Sequence, residues 1–476
     1  MSGLNKFSLA ESRELLKKGE ISSEDLVRAC LEQIEVYDPK IKAFVTVLED
    51  KALRQAKRAD NLIKKRGKEV FDEKPLLGIP YAAKDNFSTR GVLTTSSSNM
   101  LDNYIPPFDA TVIKRLNEAG AILIGKTNMD AFAHGASTEA SDFFTTKNPW
   151  DTDKVAGGSS GGSAAAVGSD MCVFAVGSET GGSIRGPASW CGVVGFKPSY
   201  GRVSRYGVTA MASSTDSPGP ITKTVKDAAI VLGIIAGKDP FDATTSPVQV
   251  PNYLSGSEEI DVKGLKIGKP RSYFEVGLDE PIRKCVESGL KELGKQGAEI
   301  VDVDLLDPKY SISVYTILQR SEVSSNLGRL DGIRYGNTRD HFGKEAKKRI
   351  MLGTYTLSSG YYDEYYGKAQ KVRTLIIDDF NKVLERVNFI CGPTMPCTAM
   401  DIGAIDTSPL FGELIDLLNE PSSIAGLPGV TIPCGYVKDL PVGIQFIGRM
   451  MGEKTILNVS HRFQQVTNYH KERPNL

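Results

Sequence analysis

Between Gly157 and Arg185 the chain reads GGSSGGSAAAVGSDMCVFAVGSETGGSIR, two serine-bearing glycine loops joined by a short apolar segment. Glycines on both sides of a serine strip away side chains, so backbone N–H groups and the hydroxyl can close on a substrate carbonyl. Within the segment, MCVFAVG reads as a buried strand. Upstream, LLGIPYAAKDNF (Leu76 to Phe87) is a second apolar run that ends in one lysine, Lys84. The four histidines, His134, His341, His461 and His470, all lie outside the glycine loops. A serine hydrolase of this kind therefore needs a lysine as its base. Either loop alone is matched by an ordinary Gly-Ser turn. Both together with AAKDN are not. Neither loop has the Gly-Lys-Ser/Thr ending of a P-loop or the spacing of a dinucleotide fingerprint.

Lysine is a poor base while charged. Its reference pKa of about 10.4 has to fall by about three units to work near pH 7, a differential solvation of roughly 4 kcal/mol. Burial is the usual means, and the apolar run before Lys84 would carry the amine inside. Asp85 would point to the opposite face if that strand continued.

These pieces, continued by GPASWCGVVGFKPSYGRVSRYG from Gly186 to Gly207, resemble the amidase signature family, whose catalytic set is Ser-Ser-Lys. The resemblance implies Ser183 as nucleophile, Ser159 as bridging serine behind a cis peptide bond, and Lys84 as base. The oxyanion would be received by the N–H groups around Thr180, Gly181, Gly182 and Ser183. Ser160, next door, reads as a residue that bonds to backbone. Glu179 stands where the family more often has Asp, and His134, in MDAFAHGAST, reads as a structural loop histidine near the site.

Short apolar runs alternating with loops and helical segments from about Leu76 onward indicate an α/β protein, and the family fold is a large mixed β-sheet core flanked by helices on both faces. Length alone, 476 residues, would suggest about three domains. The pattern reads instead as a helical segment, residues 1–70, on a single amidase domain, residues 71–476. Its signature half covers about 71–236, a Pro- and Ser-rich surface connection about 237–262, and a C-terminal half with a helical insert about 263–476. In the first segment Ser22 and Asp25 form a capping box ahead of Leu26, Val27, Cys30, Leu31 and Ile34 at helical spacing. LKIGKP and GAEIVDVDL suggest strands around a helix at 280–295, and NFICGP, GVTIPCG and PVGIQFIG further strands. In the insert, Tyr362, Tyr365, Tyr366, Ala369, Val372 and Ile376 fall on one helical face, read as an aromatic packing face.

Lys plus Arg equals Asp plus Glu at 58 each, so no global charge argues for RNA or an acidic membrane as direct partner. Seven cysteines, mostly in apolar runs, read as core residues of a reducing compartment. Cys391 and Cys397 match no zinc pattern, and no metal is expected. The polar N-terminus and the absence of a long apolar stretch suggest a soluble protein, cytoplasmic or in an organelle matrix after removal of a targeting peptide.

Outside the signature, SEVSSNLGRLDGIRYG, KKRIMLGTYTLSSGYYDEYYGKAQKVRTLI and GELIDLLNEPSSIAGLPGVTIPCG resemble the glutaminase A subunits of tRNA-dependent amidotransferases. Within the signature family that likeness implies Arg349 for the α-carboxylate of glutamine, Asp416 for its α-ammonium and Tyr315 as a supporting contact. It also implies ammonia release for converting Glu-tRNA(Gln) to Gln-tRNA(Gln), and Asp-tRNA(Asn) to Asn-tRNA(Asn) in some members. A kinase-like B subunit would use ATP and Mg²⁺ and make most of the contact with the misacylated tRNA, and a small C subunit would clasp the two. No cofactor is expected in this chain and no membrane partner. The alternative is a stand-alone amidase for another small amide.

Overall fold

The computed structural model describes residues 3–255, 262–408 and 410–476. Eleven strands form one sheet: β1 Phe44–Val47, β2 Pro80–Lys84, β3 Ile122–Thr127, β4 Phe174–Glu179, β5 Val194–Lys197, β6 Ser217–Thr222, β7 Lys266–Pro270, β8 Glu299–Val303, β9 Phe389–Pro393, β10 Gly429–Val437 and β11 Leu440–Ile447. Their order is β1-β3-β2-β4-β6-β5-β10-β11-β9-β7-β8. The sheet is mixed, as expected: β2 runs parallel to β3 and β4, and β7 parallel to β8 and β9, while the remaining pairs are antiparallel. Every residue of β2, β3 and β4 is buried, which accounts for the apolar run that leads each strand to its polar end, at Lys84, Lys126–Thr127 and Ser178–Glu179. One sheet runs through both halves of the chain, joined where β5 pairs with β10, Phe196 opposite Val430.

Three strands depart from the expectation. Phe44–Val47 interrupts the N-terminal helices and adds β1 to the sheet edge beside β3, so the first 70 residues are not purely helical. Val194–Lys197 and Ser217–Thr222 are hidden by glycine and proline. Pro218 and Pro220 sit in an interior strand because β5 pairs only with Ile221 and Thr222 of β6, clear of both prolines.

Ser22 does cap the helix Ser23–Ile41, accepting from Asp25 N–H at 3.0 Å. Its hydroxyl donates to the Asp25 carboxylate, however, and the reciprocal capping box is made by Ser8 and Glu11 at the helix Leu9–Lys18. The connection after residue 237 is tied down through residue 255. Buried Arg202 donates to Tyr253 Oη at 2.8 Å and to the Val248 and Gln249 carbonyls, while Asp239 accepts from Thr111 and Ser204. The stretch 256–261 lies outside the described residues.

In the insert, the helices Lys309–Leu327, Lys344–Thr356 and Lys368–Arg386 pack together. The aromatic face is only half as read. A π turn, Asp363–Gly367, precedes the last helix, and its wider turn takes Tyr362 and Tyr365 out of register with buried Ala369 and Ile376. Those two tyrosines are exposed. Cys30, Cys172, Cys191, Cys391 and Cys434 are buried free thiols.

Candidate active site

β2 ends at Lys84, and beside it parallel β4 ends at Ser178 and Glu179, so the site opens at the carboxyl ends of adjacent parallel strands. Lys84 is fully buried. Its Nζ lies 2.8 Å from Ser159 Oγ and 3.1 Å from the Ser178 carbonyl. Desolvation brings its pKa down to about 7, against the opposing charges of Asp130, Asp216 and Glu179. The strand does not continue past Lys84. Asp85 turns instead to Lys126, 3.1 Å away, and accepts from Thr95, anchoring the end of the strand.

The bond Gly158–Ser159 is cis. Asp130 Oδ2 occupies the space where a Cβ on Gly158 would lie, so only glycine fits there. Ser160 donates its hydroxyl to the Ser178 carbonyl at 3.2 Å and its N–H to the Ser183 carbonyl at 3.1 Å, which stitches the two loops together.

The second loop is held from below. Glu179 Oε2 accepts from the N–H groups of Ile184 and Arg185, both at 3.0 Å, immediately after the N–H groups of residues 180–183. Its Oε1 accepts from Arg185 Nε and Nη2 at 2.9 and 2.6 Å, with both residues fully buried. Arg185 also donates to Ser422, Ser423, the Asn419 carbonyl and Gln445, joining the loop to the C-terminal half. Thr180 donates to Asp216 at 2.7 Å.

The three residues expected to bind substrate come from distant parts of the chain. Tyr315, on the helix Lys309–Leu327, is buried with its ring against Gly181, where a Cβ would stand 3.0 Å from Cζ. Asp416, directly after the helix Phe411–Ile415, lies against Gly182, whose Cβ would overlap Asp416 Oδ1. That oxygen has no hydrogen-bond partner among the described residues, and burial raises the carboxyl well above the ordinary range. Arg349 is buried rather than solvated, although Lys347 and Lys348 precede it; Glu345 accepts from its Nε at 2.7 Å. With His134, Glu139, Phe411 and Glu413 it lines a cavity of about 560 Å³. A cavity of about 660 Å³ between Trp150, Tyr436, Phe463 and Tyr469 contains none of these residues. Among the described residues no group of three or more His, Cys, Asp or Glu side chains is arranged to hold a metal ion.

The chain matches the Amidase family over residues 25–457. This protein belongs to the amidase family. It is 50% identical over 481 residues to the A subunit of glutamyl-tRNA(Gln) amidotransferase from Thermoanaerobacter pseudethanolicus, covering 98% of this amidase and 97% of the relative. The crystal structure of the corresponding glutamyl-tRNA(Gln) amidotransferase A subunit from Thermotoga maritima superposes with a TM-score of 0.84 at 43% identity, over 98% of this amidase and 96% of that chain. A bacterial aryl acylamidase of the amidase signature family superposes equally well, with a TM-score of 0.87 at 25% identity and 98% of each chain covered. The shared fold thus serves more than one amide, and side chains around the site have to distinguish them.

Sequence reasoning missed the buried carboxylates of this amidase. Asp130 and Asp216 stand near Lys84, each raised to about 6 by burial, and Asp130 accepts from the Thr138 and Ala140 N–H groups. Glu420 is fully buried, with neither carboxyl oxygen partnered among the described residues, close enough to Asp416, Arg320 and Arg349 for their charges to act on it. Each is an isolated acidic residue, Asp130 and Asp216 outside regular structure and Glu420 at the start of the short helix Glu420–Ile424, and no local pattern marks it.

Proposed function

We propose that this chain is the glutamine-hydrolysing subunit of a tRNA-dependent amidotransferase. The observation that carries the reading is a meeting at one glycine loop: Lys84 binds Ser159 and the Ser178 carbonyl just ahead of it, Ser160 N–H binds the Ser183 carbonyl within it, and Tyr315 and Asp416 abut Gly181 and Gly182 from the C-terminal half. Near-identity in length with relatives that are A subunits of such enzymes, at about half identical residues, supports the same substrate.

Neutral Lys84 receives a proton from Ser159, whose hydroxyl in turn takes the proton of Ser183. Ser183 Oγ then forms a bond to the amide carbon of glutamine, and the carbonyl oxygen becomes an oxyanion held by the N–H groups of residues 180–183. On collapse the C–N bond breaks, and the proton returns through Ser159 to the leaving nitrogen, releasing ammonia. Water attacks the resulting γ-glutamyl ester by the same relay and yields glutamate. Arg349 pairs with the α-carboxylate and Asp416 with the α-ammonium. The ammonium would supply the missing partner of Asp416 Oδ1 and restore the carboxylate charge. Tyr315 backs the loop.

Ammonia then serves a kinase-like B subunit, which activates the misacylated tRNA with ATP and Mg²⁺, while a small C subunit clasps the pair. Zero net charge suits a chain that leaves most tRNA contact to its partner. Cytoplasmic residence belongs to the same proposal; among the described residues no helix is long and apolar enough to cross a membrane.

The pocket assignment is tested by Arg349→Ala, assayed on L-glutamine and on butanamide. The expected result is a glutamine KM raised about 10- to 100-fold with butanamide turnover little changed. Equal effects on both substrates would remove Arg349 from the pocket.

A further inference from the structure

His134 occupies the loop that leaves β3, and the loop has been made rigid. Asp130 binds its far side through the N–H groups of Thr138 and Ala140 at 3.0 Å each, His134 N–H donates to the Ala131 carbonyl at 3.0 Å, and Thr138 Oγ1 donates to the Gly157 carbonyl at 2.7 Å. The last bond fastens the loop to the strand of backbone that carries Ser159. Phe132 packs on Phe342 with ring centroids 5.6 Å apart, and its ring centroid lies 6.1 Å from that of the His134 imidazole.

On this rigid support the imidazole is fully buried, and neither Nδ1 nor Nε2 has a hydrogen-bond partner among the described residues. A histidine kept for packing alone would be satisfied by backbone or replaced by an apolar residue, since orphaned buried polar atoms are costly. His134 lines the same cavity as Arg349, Glu345 and Glu413. Glu345 engages Arg349 at Nε and leaves the two Nη groups as the end that a carboxylate can meet side-on.

We propose that His134 is a specificity-determining residue: as neutral imidazole it donates a hydrogen bond to the substrate α-carboxylate that Arg349 pairs with. The proposal rests on the glutaminase reading and deepens it. Burial and the nearby charges of Arg349 and Arg320 hold the ring well below its usual pKa, so it is uncharged at neutral pH. A neutral donor adds reach to the carboxylate site without adding positive charge that would repel the α-ammonium. Its second nitrogen remains an acceptor.

The test uses the assembled complex and follows ammonia release from L-glutamine, from butanamide, and from 4-aminobutanamide, which is glutamine without its α-carboxylate. In His134→Phe the KM for glutamine should rise about 10- to 50-fold, the loss of one hydrogen bond to a charged group. Neither butanamide nor 4-aminobutanamide should show that loss. His134→Gln, which keeps an amide donor, should recover most of the glutamine affinity, and it keeps the test available if the phenylalanine variant does not fold. An unchanged glutamine KM, or equal losses on all three amides, would overturn the assignment and leave His134 a packing residue. Wild-type complex that turns over butanamide but never glutamine would overturn the glutaminase reading itself, and this proposal with it.

Discussion

Lys84 Nζ lies 2.8 Å from Ser159 Oγ with both side chains fully buried, so the amine sits where solvent no longer stabilises its charge. That single contact couples a strand end to a glycine loop, and several consequences can be measured.

The first is pH dependence. With Lys84 brought down to about 7, glutamine turnover should rise through about pH 7 as the amine loses its proton, then level off. A rate flat between pH 5.5 and 9 would show that another group sets the protonation state.

The same shift carries a stability cost. The unfolded lysine titrates near 10.5 and the folded one near 7, so between these values the unfolded chain binds the extra proton. Stability is therefore lowered at pH 7 and recovers as pH rises toward 10. Lys84→Met should gain up to about 4 kcal/mol at pH 7, reduced by the hydrogen bonds it forfeits, and less at pH 9.5. Thermal unfolding at the two pH values measures the difference; a variant less stable than wild type at both would contradict the account.

Removing the proposed nucleophile or base should be far more costly to catalysis than to folding. Ser183→Ala and Lys84→Ala are each expected to lower kcat by about 10³-fold or more while circular dichroism is unchanged. Ordinary turnover by either variant would defeat the relay.

Gly182 faces Asp416 Oδ1 with no room for a methyl group, whereas Gly294, in the helix Glu280–Lys295, has nothing within 4 Å of the position a Cβ would take. Gly182→Ala should displace Asp416 and reduce glutamine hydrolysis about 100-fold or more. Gly294→Ala should leave activity intact and stabilise by about 0.5–1 kcal/mol. Comparable activities in the two variants would separate Asp416 from the reaction.

Arg185 and Glu179 form a buried ion pair beneath the loop that carries Ser183. Arg185→Met leaves Glu179 charged without its partner and should cost about 3–5 kcal/mol, seen as a lowered unfolding midpoint in urea. A midpoint within error of wild type would mean that the loop is held by other bonds.

The parts that could be read from the chain are those where chemistry and local pattern coincide. Ser159 and Ser183 announce themselves through flanking glycines, and Lys84 through the apolar strand it ends, whose complete burial follows from its composition. Arg349, Asp416 and Tyr315 were reachable only through resemblance: Tyr315 and Asp416 reach Gly181 and Gly182 by tertiary packing across more than 100 residues, and Arg349 lines a neighbouring cavity with His134 and Glu413. Pro218 and Pro220 concealed β6, since their tolerance depends on where β5 stops pairing. Tyr362 and Tyr365 left the expected face because one wide turn shifts the helical phase. Asp130, Asp216 and Glu420 are invisible locally for the same reason as the pocket: what makes a carboxylate important here is burial among distant neighbours.

The most direct measurement is ammonia release from L-glutamine by the purified chain, alone and with kinase-like B and small C subunits, with Ser183→Ala as the blank. The account predicts release that requires Ser183 and increases with the partners, ATP and misacylated tRNA. Hydrolysis of other amides with no glutamine turnover under any of these conditions would contradict it and make the chain a stand-alone amidase.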